Sequence, residues 1–168
     1  LAPTETVLTV TGSKAKGKSK KANARTPASS AVLRMKFAGA NPAPQMVGLD
    51  ELPGKNNYFI GNDPAKWHTD VSNYAKVKYE SVYPGVDLVY YGNQRQLEYD
   101  FILAPGADHS AIRLSIQGAR KVLVDKSGDL VLRTKVADVS WQKPIIYQEI
   151  NGNRTAVEGS YKLLADAN

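Results

Sequence analysis

Asp87, Glu98 and Asp100 are the carboxylates whose types and spacing could do acid–base chemistry. Glu98 and Asp100 stand two apart, and on an extended chain both side chains leave the same face. They are neighbours, not opposed groups. A glycosidase holds its two carboxylates across a sugar at a defined separation, which one open face does not provide. The pattern instead fits a solvated face paired with Lys76, Lys78 or Arg95. Calcium could draw on Asp63, Asp70, Asp87 or Asp100. No loop has the alternating acids, Gly and closing Glu of an EF-hand, and the short Asp125–Asp129 loop has only two acids. His68 and His109 are the only histidines and cysteine is absent, so zinc lacks its three or four usual ligands. The lack of cysteine also excludes a disulfide scaffold. No catalytic residue, metal site or cofactor is therefore expected.

Binding residues are easier to find. Trp67, Tyr74, Tyr79, Tyr83, Tyr90, Tyr91 and Tyr99 make the middle of the chain rich in amphipathic rings, which suit a sugar with one apolar and one polar side. Tyr90 and Tyr91 point to opposite sides of a strand, so at least one of them packs against neighbours. Trp67 and Tyr91 are the candidate ligand-binding residues. The formal net charge is +6, from 22 basic and 16 acidic residues. Lys14, Lys16, Lys18, Lys20, Lys21 and Arg25 form a run without an acid. Without those six, 16 basic residues face 16 acidic ones. The excess charge is thus a basic arm on a neutral body. Such an arm can meet an anionic surface or partner, or simply stay extended in water by self-repulsion. No aromatic residue stands between its lysines to stack a base, which argues against nucleic acid.

The elements that must position these residues read as strands. In Gln94–Leu103, Leu97, Tyr99, Phe101 and Leu103 alternate with polar residues, the period of a half-buried strand. Similar patterns mark Ala31–Phe37, Tyr74–Tyr79, Val86–Tyr91, Ala111–Gln117, Lys121–Asp125, Asp129–Thr134, Ile145–Ile150 and Thr155–Leu163. Glu5–Thr11 is β-branched and forms a first strand. Residues 12–30 are rich in Lys, Ala, Ser and Gly and have no large apolar side chain, so they are expected to be a flexible loop. Asn41–Lys55, with Pro42, Pro44, Pro53 and Gly54, is expected to be a loop, and Asn57–Ile60 a short strand. Asp63-Pro64 should start a single helical turn. Tyr83-Pro84-Gly85, Gly92-Asn93, Asp125–Asp129 and Asn151-Gly152 are hairpin turns, the last suited to type I′. No stretch carries a helical stripe, and none is long and apolar enough for a membrane span.

From Lys55 onward a family resemblance appears. It rests on Asn56-Asn57-Tyr58-Phe59-Ile60-Gly61-Asn62-Asp63-Pro64, Trp67, Tyr74-Ala75-Lys76-Val77 and Val82-Tyr83-Pro84-Gly85-Val86-Asp87-Leu88-Val89-Tyr90-Tyr91-Gly92. Leu97-Glu98-Tyr99-Asp100-Phe101, Ala104-Pro105-Gly106-Ala107-Asp108, Gly128-Asp129-Leu130 and Lys143-Pro144-Ile145-Ile146-Tyr147-Gln148-Glu149 follow in order. Together they resemble the uncharacterised N-terminal β-domain that precedes SBBP (beta-propeller) repeats in secreted or cell-surface bacterial proteins. The resemblance covers most of residues 31–161 and implies a secreted, cell-surface location without an assigned activity. Family members carry a further strand ahead of the part that Leu1–Glu5 resembles, and repeats behind. This chain, which begins at Leu1 and not Met, is thus expected to be a processed product or a piece of a longer protein. A missing strand would leave an unpaired sheet edge.

The expected fold is all-β, an antiparallel β-sandwich of about ten short strands with little or no helix. Its single domain joins strand 1–11, across the basic loop 12–30, to a body of residues 31–168. The core is expected from Leu97, Tyr99, Phe101, Ile112, Leu114, Ile116, Leu130 and Leu132. The expected function is a non-enzymatic structural or adhesion-type module that associates with itself or with neighbouring domains of the same surface protein. Glu5, Val7, Leu8 and Val10 form the assembly strand, because a strand on a long tether can pair beyond its own domain. The alternative is a carbohydrate-binding module that uses its Tyr and Trp side chains.

Overall fold

A computed structural model describes residues 4–12, 29–93 and 96–164 of the chain. These residues are all-β. The strands are β1 (Glu5–Thr11), β2 (Ser30–Phe37), β3 (Gln45–Tyr58), β4 (His68–Tyr83), β5 (Val86–Asn93), β6 (Gln96–Leu103), β7 (Leu114–Gln117), β8 (Lys121–Val124), β9 (Leu130–Arg133), β10 (Asp138–Trp141), β11 (Ile146–Ile150) and β12 (Asn153–Val157). Helical geometry is limited to single 3-10 turns at Pro64–Lys66 and His109–Ala111.

The strands form four sheets, ordered β3-β4-β5-β6, β1-β2-β7, β10-β9-β8 and β11-β12. The chain divides into two compact units. One holds residues 1–5 and 36–114, the other residues 6–35 and 115–168.

In the first unit, β3 to β6 form an antiparallel meander of consecutive hairpins. The buried residues Tyr79, Val82, Tyr83, Val86, Leu88, Val89 and Tyr90 come from its two central strands, β4 and β5. Phe37 packs edge-on to Phe101, and Phe101 edge-on to Tyr99. Both ring pairs meet nearly at right angles, the arrangement their quadrupoles favour. The Tyr83 hydroxyl is close to the carbonyl oxygens of Ala38 (3.2 Å) and Arg113 (3.3 Å), so a polar atom enters this core with partners.

The second unit has a two-layer core. Leu33 of β2 packs with Leu130 and Leu132 of β9. Leu8 and Val10 of β1, Ile116 of β7, Val122 and Val124 of β8, and Val139 and Trp141 of β10 surround them. Side chains of two three-stranded sheets thus share one core, as in face-to-face sheet packing. Glycine is obligatory at Gly118, between β7 and β8. Its φ is +89°, and a Cβ there would run into the carbonyl oxygen of Val32.

Turn chemistry matches the sequence closely. Asp63 caps the Pro64–Lys66 turn by accepting the Ala65 N–H at 3.1 Å, with Pro64 in the first turn. Asn151 and Gly152 both have positive φ, 53° and 77°, as a type I′ turn requires.

Three expectations need correction, and one strand, β10, was not expected. Asn41–Lys55 is not a loop throughout, because β3 begins at Gln45 and pairs with β4 from Gln45–Glu80 to Tyr58–His68. The register shifts between Leu52 and Lys55, so a bulge absorbs Pro53 and Gly54 on an edge strand, where a missing N–H is tolerated. Asn57 and Tyr58 are the end of this strand, not a separate one. The strand expected over Ala111–Gln117 starts only at Leu114, because Asp108 caps a 3-10 turn ahead of it. β10 gave no alternation long enough to notice.

The core also sits elsewhere than expected. Leu130 and Leu132 are buried, but Leu97 is 48% exposed, and Tyr99, Phe101, Ile112, Leu114 and Ile116 are only half-buried. β6 is an edge strand, so fewer neighbours cover its inward side chains than those of β4 and β5.

Replacing Leu132, which is fully buried, with Ala should destabilise the fold by about 2–5 kcal/mol. Gly118→Ala should cost at least about 2 kcal/mol through backbone strain alone. Urea unfolding followed by far-UV circular dichroism checks both, and an unchanged midpoint for either would contradict this core.

Candidate functional site

The strand expected from the sequence to mediate assembly is β1, an end strand of its sheet. The Phe37 N–H bonds to the Thr4 oxygen at 3.0 Å, and the Gly12 N–H to the Ser29 oxygen at 3.1 Å. These two bonds flank an antiparallel β1–β2 pairing in which residues 4, 6, 8, 10 and 12 face β2. The N–H and C=O groups of Val7, Thr9 and Thr11 therefore point away from β2, to a side where no strand among the described residues pairs. Side chains follow a separate alternation. Thr6 is buried and Leu8 and Val10 pack in the core, whereas Val7 is 47% exposed. Glu5 lies 3.9 Å from the Lys36 ammonium. Leu8 and Val10 thus anchor the strand, and Val7 and Thr9 present it.

The basic arm, Lys14, Lys16, Lys18, Lys20, Lys21 and Arg25, lies outside the described residues.

Trp67 lies at the tip of the β3–β4 hairpin, just before β4. Its indole N–H donates to the Gly61 oxygen at 3.1 Å, and its ring meets Phe59 edge-on at 5.2 Å. The tip is held by these two contacts and the Asp63 cap. Phe59 is 61% exposed and Ile60 72% exposed, and residues 51–70 are exposed throughout. Two-stranded hairpins are marginal alone. This one is reinforced by polar contacts. Glu51 accepts from Lys55 and from the Ser72 hydroxyl, and the Asn73 amide donates to the Gly54 oxygen at 2.7 Å. Phe59 and Ile60 escaped the sequence reading of sites. The signal was an apolar pair directly before Gly61-Asn62-Asp63-Pro64, where turns are normally polar.

Tyr91 lies elsewhere, in β5, opposite Lys76 of β4 and Glu98 of β6. Its hydroxyl donates to Asp100 at 3.1 Å. Partial burial, the hydrogen bond to Asp100 and the carboxylates of Asp100 and Glu98 push its phenol up to about 12. Tyr91 is half-buried, with its hydroxyl engaged inside a charged ladder. The structure therefore does not bring Trp67 and Tyr91 into one ring platform.

The carboxylates lie on that same ladder. Glu98 and Asp100 stand opposite Tyr91 and Val89 in register. Asp87 bonds to the Lys78 ammonium at 3.0 Å and accepts the Ser81 N–H at 2.8 Å. Ser81 has a φ of +53° at the irregularity in β4, so Asp87 steadies a bulge. Lys78 also pairs with Glu80, and Lys76 with Asp50 at 2.7 Å. No group of three or more acids or histidines among the described residues could hold a metal ion. His68 opens β4 and His109 lies in the second 3-10 turn, on separate elements. No helix among the described residues is long and apolar enough to cross a membrane.

A protein-family sequence model matches residues 1–168. The chain belongs to the family described as "Domain of unknown function (DUF7948)". Comparison with curated proteins found no match, and comparison with solved structures found none. The DUF7948 match spans β1 to β12, so both units lie within the family's boundaries.

Asp87 generates a pH prediction. Burial would raise its pKa, but the Ser81 N–H and the Lys78 ammonium bring it below the ordinary carboxylate value. A depressed folded-state pKa contributes stability above the unfolded value, which is lost as pH falls through the folded one. Asp87→Asn should therefore lower Tm at neutral pH and flatten its decline below about pH 4. Thermal melts from pH 7 to pH 2 check this, and parallel wild-type and variant curves would refute it.

Proposed function

We propose that this chain is a non-enzymatic, extracellular structural or adhesion-type module of a bacterial surface protein, and that it assembles by β-strand pairing between chains. The observation that carries the reading is the outer edge of β1, which no strand among the described residues pairs. Edge strands are normally blunted by proline, lysine, bulges or inward charges. β3 has Pro53, Lys55 and a bulge on its edge. β6 carries Glu98 and Asp100. β1 reads Glu-Thr-Val-Leu-Thr-Val-Thr, with no proline, no lysine and β-branched residues at most positions. Such a segment is a good template for another strand. The resemblance to a domain preceding SBBP repeats supports the surface location and neighbouring domains of the same protein as partners.

Carbohydrate binding is the second reading, and the exposed Phe59–Trp67 pair supports it. Two rings held at right angles leave one plane free for a sugar to stack on. Glycan-array binding that is lost in Trp67→Ala while the fold persists would favour this reading over assembly.

For strand pairing, the informative substitutions lie at outward positions of β1. Val7→Lys adds a gatekeeper charge, and Thr9→Pro removes a donor that faces away from β2. Light scattering should show wild-type association that rises with concentration, and monomers for both variants, with circular dichroism unchanged. A wild-type chain that stays monomeric at millimolar concentration, or variants that assemble equally well, would sink the proposal.

A further inference from the structure

Val7, Thr9 and Thr11 direct both of their peptide groups away from β2, and their side chains are exposed. The residues between them carry a second signal. Leu8 and Val10 pack on the Leu33, Leu130 and Leu132 core, yet both are only half-buried. An inward side chain on an end strand lacks a neighbour on one flank. A strand that fits this edge must therefore bring peptide groups in phase with Val7, Thr9 and Thr11. It must also set apolar side chains opposite Leu8 and Val10. β1 itself meets both conditions.

In an antiparallel pair, residues that exchange hydrogen bonds stand directly opposite each other. The outward residues of one copy, which carry odd numbers, must then face odd-numbered residues of the other. With Thr9 opposite Thr9, Val7 faces Thr11 and Thr11 faces Val7, so the three outward residues satisfy one another. On the core side of the same register, Leu8 faces Val10 and Val10 faces Leu8. Opposed β-branched side chains are favourable cross-strand pairs.

Other registers lose part of this match. With Leu8 opposite Leu8, Val10 meets Thr6, which is already buried, and Thr11 meets Glu5. With Val10 opposite Val10, Leu8 meets Gly12, which has no side chain, and Val7 passes the end of the strand. Parallel pairing in register would set Glu5 beside Glu5, and like charges side by side are destabilising. The other end strand of the sheet, β7, has four residues against seven in β1. Pairing β1 with the β7 of another copy would leave part of β1 uncovered and would repeat head-to-tail without closing.

We propose that the partner of β1 is a second copy of this chain, paired antiparallel about a two-fold axis at Thr9. Two three-stranded sheets then become one, ordered β7-β2-β1-β1-β2-β7. An isologous contact of this kind uses up both β1 edges, so assembly stops at the dimer. The inference rests on the reading of β1 as an assembly strand and adds its partner, register and end point.

The chain has no cysteine, so a single introduced cysteine reports one position. Val7→Cys, Thr9→Cys and Thr11→Cys are each treated with a bis-methanethiosulfonate linker spanning about 5 Å, the Cβ separation of directly opposite residues. Thr9→Cys alone should give at least about tenfold more linked dimer than either other variant alone, whose like positions lie about 13 Å apart along the strand. An equal mixture of Val7→Cys and Thr11→Cys should link as well as Thr9→Cys. In the wild-type chain, sedimentation should show a monomer that becomes a dimer and grows no further. Amide exchange at Val7, Thr9 and Thr11 should slow at least about tenfold across that transition, a readout that needs no variant. Linking of each variant alone would overturn the antiparallel arrangement, and linking of Val7→Cys with Thr9→Cys would overturn the axis at Thr9. Species larger than a dimer would overturn closure in favour of pairing with β7. Strand pairing itself survives all three of these results. A dimer whose β1 amides exchange as fast as the monomer's would overturn the β1 interface. A chain that stays monomeric at millimolar concentration would overturn the underlying reading as well.

Discussion

Ala31, Leu33, Met35 and Phe37, every second residue of β2, are each less than a tenth exposed, and the rest of the structure depends on keeping that face dry. Leu33 is at the centre of the second unit's core, and Phe37 belongs to the ring stack of the first. The period of two is strict, so a shift of one residue would turn all four side chains into water. At roughly 1.5–3 kcal/mol for each large apolar side chain, that slip would cost more than most small domains have to spare. The register of β1 on β2 follows from the same constraint, because Leu8 and Val10 reach that core only when their own register is kept.

Once β1 is anchored in this way, its chemistry divides cleanly between its two edges. Inward side chains and β2-facing peptide groups are satisfied within the chain, and the peptide groups of Val7, Thr9 and Thr11 face a side where no strand among the described residues pairs. A strand that were merely tethered would have to order itself on pairing, at an entropic cost for each residue. A strand already held by Leu8 and Val10 has met that cost. This physical difference makes an anchored edge a better template than a loose one.

The outward faces show what an unavailable surface looks like. Across β4, β5 and β6, Lys76, Lys78, Asp87, Tyr91 and Asp100 engage each other or near neighbours, and each charge has a partner within about a hydrogen-bond length. Exposed ion pairs of this kind add little stability, but they leave few free groups for a ligand. The hairpin tip with Phe59 and Ile60 differs from that ladder, because it presents apolar side chains to solvent. The aromatic residues read as possible ligand contacts were thus partly absorbed into packing, and the apolar group most available to a partner lies at a turn.

Alternation, β-branched residues and turn chemistry were enough to read the all-β class, the hairpins at Pro84-Gly85 and Asn151-Gly152, and the Asp63-Pro64 turn. Those features are local, and each is decided by a few neighbouring residues with strong backbone preferences. The long β3, carried through Pro53-Gly54, was not legible, because a bulge on an edge strand is permitted only by the partner strand that pairs on both sides of it. Nor was the exposure of Leu97, since an inward position is buried only if something covers it, and β6 is at an edge. The half-burial of Leu8 and Val10 was not legible either, because it follows from the place of β1 at the end of its sheet. The chain's own residues determined strands, turns and charge balance through local sterics and solvation. Which strand became an edge and which side chains were covered were decided only when distant strands paired, because burial and proximity belong to the packed whole and not to any segment.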